Sequence, residues 1–125
     1  MLRDLLLNEQ QVRRFNEILE EVKELNSHIP ILVEGSKDIE ALRTLGIRGE
    51  IITINRGMSL VELAEFIREN YGEIILLLDW DSKGKELTHR LETLLWDSGV
   101  NTHPEIRKAI QNIVPHISTV EELHL

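Results

Sequence analysis

The chain has 125 residues, with 14 Lys and Arg against 22 Asp and Glu, giving a formal charge of −8, and 42% of it is hydrophobic. That suits one domain burying roughly two thirds of its unfolded surface, and the lack of Cys excludes disulfides, thiolate metal sites and cysteine nucleophiles. The longest apolar run, Ile74 to Leu78, has five residues, against the ~20 of a membrane span, and the acidic balance excludes a generic basic coat for nucleic acid.

From Asn8 to Leu25, Val12, Phe15, Ile18, Leu19, Val22 and Leu25 recur at three- and four-residue steps with charged residues between them, which predicts an amphipathic helix. Asn26, Ser27, His28 and Pro30 break the pattern, and Ile31 to Val33 reads as a strand buried on both faces, ending at Glu34 and Gly35. Asp38 to Leu45 is helical in character, Gly46 is its stop, and Ile51 to Ile54 is a second strand. Ser59 with Glu62 makes a capping box for a helix that Gly72 closes, and Ile74 to Leu78 is the third strand. Ser82 is the expected cap of a helix carrying Leu87, Leu91, Leu94 and Leu95, and Thr102 with Glu105 the box before a last helix with Ile106, Ala109, Ile110 and Ile113. Val114 to Ser118 reads as an edge strand, and Ser118 with Glu121 as the cap of a final turn.

Short apolar strands alternating with helices predict an α/β fold: a parallel sheet of about four strands covered on both faces. The expected organisation is an N-terminal helical extension over 1–29, the α/β domain over 30–117 and a short helical tail over 118–125.

In such a sheet every strand ends at the same edge, where ligands bind. The first strand delivers Glu34, Gly35, Ser36, Lys37 and Asp38 there, the second Asn55, Arg56 and Gly57, and the third Asp79, Asp81, Lys83, Gly84 and Lys85. Acids beside cations are the arrangement expected if carboxylates hold a divalent metal while Lys37, Arg56, Lys83 and Lys85 meet phosphate oxygens. Alternate residues of an extended segment project to one side roughly 7 Å apart, so Asp79 and Asp81 can face one ion, with Glu34 as a third ligand, an outer acceptor or a proton carrier. The plainer reading is that these acids cap the loops and helices that follow. Gly35, Gly57 and Gly84 allow tight exits or close approach of backbone amides to a ligand, or serve as ordinary turn residues. Trp80, between the aspartates, points away from them into packing. Arg107 and Lys108 read as helix-surface charges. Neither a Walker loop nor a Gly-x-Gly-x-x-Gly motif is present.

Residues Ile31 to Asp38 (ILVEGSKD), Ala41, Leu42, Gly46, Ile52 to Gly57 (ITINRG) and Ile75 to Gly84 (ILLLDWDSKG) together resemble the Toprim domain. That domain is shared by primases, topoisomerases, recombination proteins and a ribonuclease that matures ribosomal RNA. The likeness spans roughly residues 30 to 117, and the whole resembles short freestanding Toprim proteins of archaea. It implies an acid–base position at Glu34, magnesium positions at Asp79 and Asp81 (manganese as a substitute), and supporting roles for Asp38 and Gly57. The separate nucleic-acid-holding modules of the larger relatives are not seen here.

Two functions follow as expectations. The first is magnesium-dependent phosphodiester cleavage or nucleotidyl transfer on RNA or DNA, nuclease- or primase-like. The second is a non-catalytic module binding magnesium and a phosphorylated ligand in an RNA-processing or DNA-repair assembly, where a protein partner supplies nucleic-acid affinity. A receiver domain is weaker, because it places an acidic pair after the first strand and one aspartate after the third, the reverse of this chain. The expected setting is cytoplasmic and off the membrane, as a monomer or homodimer.

Overall fold

The computed structural model describes residues 7–54 and 57–123. Helix α1 (Glu9–Asn26) starts in a reciprocal capping box, in which the Gln11 amide donates to Asn8 Oδ1 at 2.8 Å and the Asn8 amide to Gln11 Oε1 at 2.9 Å. Such a cap is worth about 1 kcal/mol. The stripe Phe15, Ile18 and Val22 is buried and the charged residues between are exposed, as the periodicity predicts. Strand β1 (Ile31–Val33), helix α2 (Ser36–Thr44), strand β2 (Ile51–Thr53), helix α3 (Leu60–Asn70), strand β3 (Ile75–Leu76), helix α4 (Ser82–Asp97) and helix α5 (Pro104–Ile113) follow, then a 3-10 turn at Val120–Glu122.

The sheet is parallel with order β2-β1-β3, Ile31 lying opposite Ile51 on one side and Ile75 on the other. Because side chains alternate across a strand, Ile31, Val33, Ile75 and Leu77 enter one core layer with α1, α2 and α5. Leu32, Ile52, Ile74, Leu76 and Leu78 enter the other with α3 and α4. Helices on both faces explain why the strands read as unbroken apolar runs. Gly46, at φ +92°, turns the chain out of α2 in the left-handed region where glycine carries no Cβ penalty.

Three details correct the sequence reading. The sheet has three strands among the described residues, not four. Val114 ends α5, and the carbonyls of Ile117 and Ser118 both accept hydrogen bonds from Trp80 instead of forming a ladder. Beside β3 run Asn101 and Thr102, whose carbonyls accept from the Ile74 and Leu76 amides at 2.9 and 3.3 Å, but they form a single parallel bridge, Glu73 with Asn101, and not a strand. Helix caps also shift by a residue or more: Gly35 precedes α2, Asp81 rather than Ser82 caps α4, and Thr119 rather than Ser118 caps the last turn. Helix α5 lacks the expected Thr102 box and begins after His103, which has φ 50°. The Thr102 hydroxyl accepts from Trp96 Nε1 at 2.8 Å instead.

Candidate functional site

The three predicted acids meet at the carboxyl edge of the sheet. Glu34 leaves the end of β1, and its Oε2 accepts from the Asp79 amide at 3.0 Å, joining two residues 45 positions apart. Asp79 leaves β3, and its Oδ1 accepts from the Val120 amide at 2.6 Å. Asp81 Oδ1 accepts from the Gly84 amide at 2.7 Å as the N-cap of α4. Asp38, buried at the start of α2, accepts from the Gly35 amide at 3.0 Å and so holds the turn after Glu34.

Burial sets the electrostatics. It pushes the Glu34 carboxyl from 4.5 up to about 6; the hydrogen bond from the Asp79 amide opposes this, and the charges of Asp79 and Asp81 add to it. Burial likewise raises the Asp79 carboxyl, with a hydrogen bond to the Val120 amide and one to the Glu34 side chain opposing. The two carboxyls lie close enough to act on each other, so the pair holds a proton to higher pH than isolated carboxylates do. Asp38 is raised by burial too.

A solvent-open cleft of about 630 Å³ runs over this edge, lined by Glu34, Gly35, Ser36, Lys37, Asp38, Asp79 and Lys83, together with Ile54 and, from the far end of the chain, Thr119 and Glu121. Of the predicted phosphate contacts, Lys37 and Lys83 thus reach the cleft. Lys85 is exposed outside its lining, and Arg56 lies outside the described residues. Gly57 has φ +75° and open space around it. Trp80 points away from the acids, as expected, and donates from Nε1 to the Ile117 carbonyl at 2.5 Å.

Gly84 has a different use from the predicted approach to a ligand. A Cβ there would stand 2.1 Å from the Asp79 carbonyl oxygen, so the missing side chain lets α4 dock on the strand exit. Arg107, a surface charge by its place in the sequence, is instead half-buried, donating from Nε to the Leu78 carbonyl at 2.8 Å and from Nη2 to the Asp79 carbonyl at 2.5 Å. The only signal for it in the sequence is a basic residue one step from the apolar stripe of α5, shared with many solvated arginines.

Among the described residues no group of three His, Asp or Glu side chains stands ready to enclose a metal ion. Each of the three acids already spends one oxygen on a backbone amide. The donor set still suits a hard dication, because magnesium prefers oxygen and takes one or two protein carboxylates, the remainder being water or phosphate.

The family model of the Toprim domain matches residues 29–114. This chain belongs to the Toprim family. It is 44% identical over 98 residues to a UPF0292 protein of Thermoplasma volcanium, a match covering 78% of this chain and 82% of that one. It is 37% identical over 113 residues to a UPF0292 protein of Thermococcus onnurineus, covering 90% and 82%. Among solved structures, a putative protein from Aquifex aeolicus superposes with a TM-score of 0.73 at 25% identity, covering 86% of this chain and 95% of that one. The Toprim match encloses Glu34, Asp79, Asp81 and Arg107, and stops short of Thr119, Val120 and Glu121. These UPF0292 relatives are short archaeal proteins. No helix among the described residues is long and apolar enough to cross a membrane.

Proposed function

We propose that this Toprim protein performs magnesium-dependent phosphodiester chemistry on nucleic acid, either cleavage or nucleotidyl transfer. The observation that carries the reading is the contact between Glu34 and Asp79: two acids from neighbouring strands, both raised by burial, share one edge of the sheet. Asp79 and Asp81 are the residues to hold the ion. Bound there, it would supply Lewis-acid stabilisation of charge on a phosphoryl oxygen. Glu34, at about 6, exchanges a proton near neutral pH and is the group to give or take one at an attacking or leaving oxygen. Lys37 and Lys83, on the rim of the cleft, orient phosphate by charge-assisted hydrogen bonds. Lys85, exposed beyond the lining of the cleft, and Arg56, by its place in the sequence alone, are assigned to further phosphate contacts, and Asp38, Gly35, Gly57 and Gly84 shape the turns around the site.

The test is metal-dependent turnover of labelled structured RNA and single-stranded DNA. Cleavage or extension should require Mg²⁺ and fall by about 10²-fold or more in Glu34→Gln, the usual weight of a general acid or base. It should also vanish in Asp79→Asn. No turnover of either substrate, with wild type and variants alike, defeats the enzyme reading. A net charge of −8 and carboxylates already tied to amides favour the second reading, a module that binds Mg²⁺ and a phosphorylated ligand without chemistry. Calorimetric binding without turnover supports it.

A further inference from the structure

We infer that the segment from Pro115 to Leu123, beyond the Toprim match, is a working part of the metal site, and that the Val120 amide is the positioning group for Asp79. The inference rests on the metal reading above. The segment crosses the carboxyl edge of the sheet as a strap and is anchored on both sides of Val120. Upstream, the Ile117 and Ser118 carbonyls accept from Trp80 Nε1 and from the Trp80 amide at 2.5 and 2.8 Å. Across Val120, the Thr119 hydroxyl and amide both donate to Glu122 Oε1, closing the 3-10 turn. Val120 and Leu123 are fully buried against the core.

Held this way, the Val120 amide cannot swing with solvent, and its 2.6 Å hydrogen bond fixes one oxygen of Asp79. Arg107 fixes the same residue from behind, at its carbonyl, and Glu34 accepts its amide hydrogen. A ligating carboxylate tethered at one oxygen by an outer partner presents the other in a single direction, so the entropy of orienting it is already spent before the ion arrives. The Toprim-matched segment carries the acid, and the strap aims it.

A pair of substitutions separates the donor from the buried side chain. Val120 opens the 3-10 turn, a position that tolerates proline, and Thr119 before it is extended at φ −128°, ψ 150°, as a residue preceding proline prefers. Val120→Pro deletes the N–H; Val120→Ala keeps it and loses packing. With Mn²⁺ alone as probe in calorimetry, wild type and Val120→Ala should bind with similar Kd, and Val120→Pro about 10- to 100-fold more weakly, the usual loss when an outer partner is removed. Equal affinity in wild type and Val120→Pro, or an equal loss in both variants, overturns the inference while leaving the metal site standing. Wild type that binds no Mn²⁺ overturns both. Should Val120→Pro fail to fold by circular dichroism, hydrogen exchange at the Val120 amide of the wild-type chain decides. Slower exchange under saturating Mg²⁺ supports the strap's role; unchanged or faster exchange overturns it.

Discussion

The Cα of Gly84 packs against the Asp79 carbonyl so closely that a Cβ at position 84 would stand 2.1 Å from the oxygen and 2.5 Å from the carbonyl carbon. The first turn of α4 is therefore seated on the exit of β3, and the same Gly84 amide is capped by Asp81. One contact ties the two aspartates of the Asp-x-Asp pair into a fixed relation.

Gly84→Ala should accordingly destabilise the protein by about 1–3 kcal/mol, the range for forcing an atom into packed space, because the obstacle is backbone and cannot rotate away. Gly35→Ala is the control. Gly35 is extended at φ −156°, and a methyl group added there would meet nothing within 4 Å, so its change should stay within about 1 kcal/mol. Urea unfolding of the two variants checks the contrast, and equal losses would refute it.

Arg107 supports the same strand exit from the other side. Its guanidinium is driven below its ordinary pKa by burial, while Glu92, Asp79, Glu34 and Asp81 pull it back up. Arg107→Ala strands the Leu78 and Asp79 carbonyls and should cost about 1–3 kcal/mol. Arg107→Lys keeps the charge without the fork and should fall between. Metal affinity separates charge from geometry: deleting a nearby cation alone would tighten Mn²⁺ binding, whereas loosening Asp79 weakens it. Weaker binding in Arg107→Ala, by calorimetry, is the expected result.

The acids also make stability depend on pH in a definite direction. Glu34 titrates at about 6 when folded against 4.5 ordinarily, so between those values the folded chain holds more protons than the unfolded one. Stability therefore falls as pH rises through that window, and this group adds no further slope above it. Asp79 and Asp38, also raised by burial, push the same way. Thermal unfolding in a chelator should show a higher Tm near pH 5 than near pH 7, a difference that shrinks in Glu34→Gln. Saturating Mg²⁺ should reduce the slope, because the ion binds the deprotonated acids. A Tm that rises steadily from pH 5 to 7 in both proteins would contradict this.

The parts of the molecule legible in sequence are those where one residue type in one place has one physical use. The apolar runs at Ile31, Ile51 and Ile74, alternating with helical patterns, read as strands of a covered parallel sheet, and acids closing such runs arrive at one edge, where Glu34 and Asp79 are in contact. Val114 to Ser118 misleads because Val114 and Ile117 are buried as core without joining a ladder, and apolar periodicity records burial only. Arg107 hides because the depth of a charged side chain depends on what its helix is packed against. The Val120 amide leaves no trace, since every residue except proline carries the same donor. Gly84 is visible as a glycine, but whether it admits a ligand or a neighbouring backbone is settled only by the docking of α4.

The most direct test of the metal site is a crystal of the full chain soaked in Mn²⁺ and measured for anomalous scattering. One peak beside Asp79, within coordination distance of its free carboxylate oxygen and close to Asp81 and Glu34, is the predicted result. A protein that takes up no Mn²⁺ at that edge, or binds it only elsewhere, would contradict it.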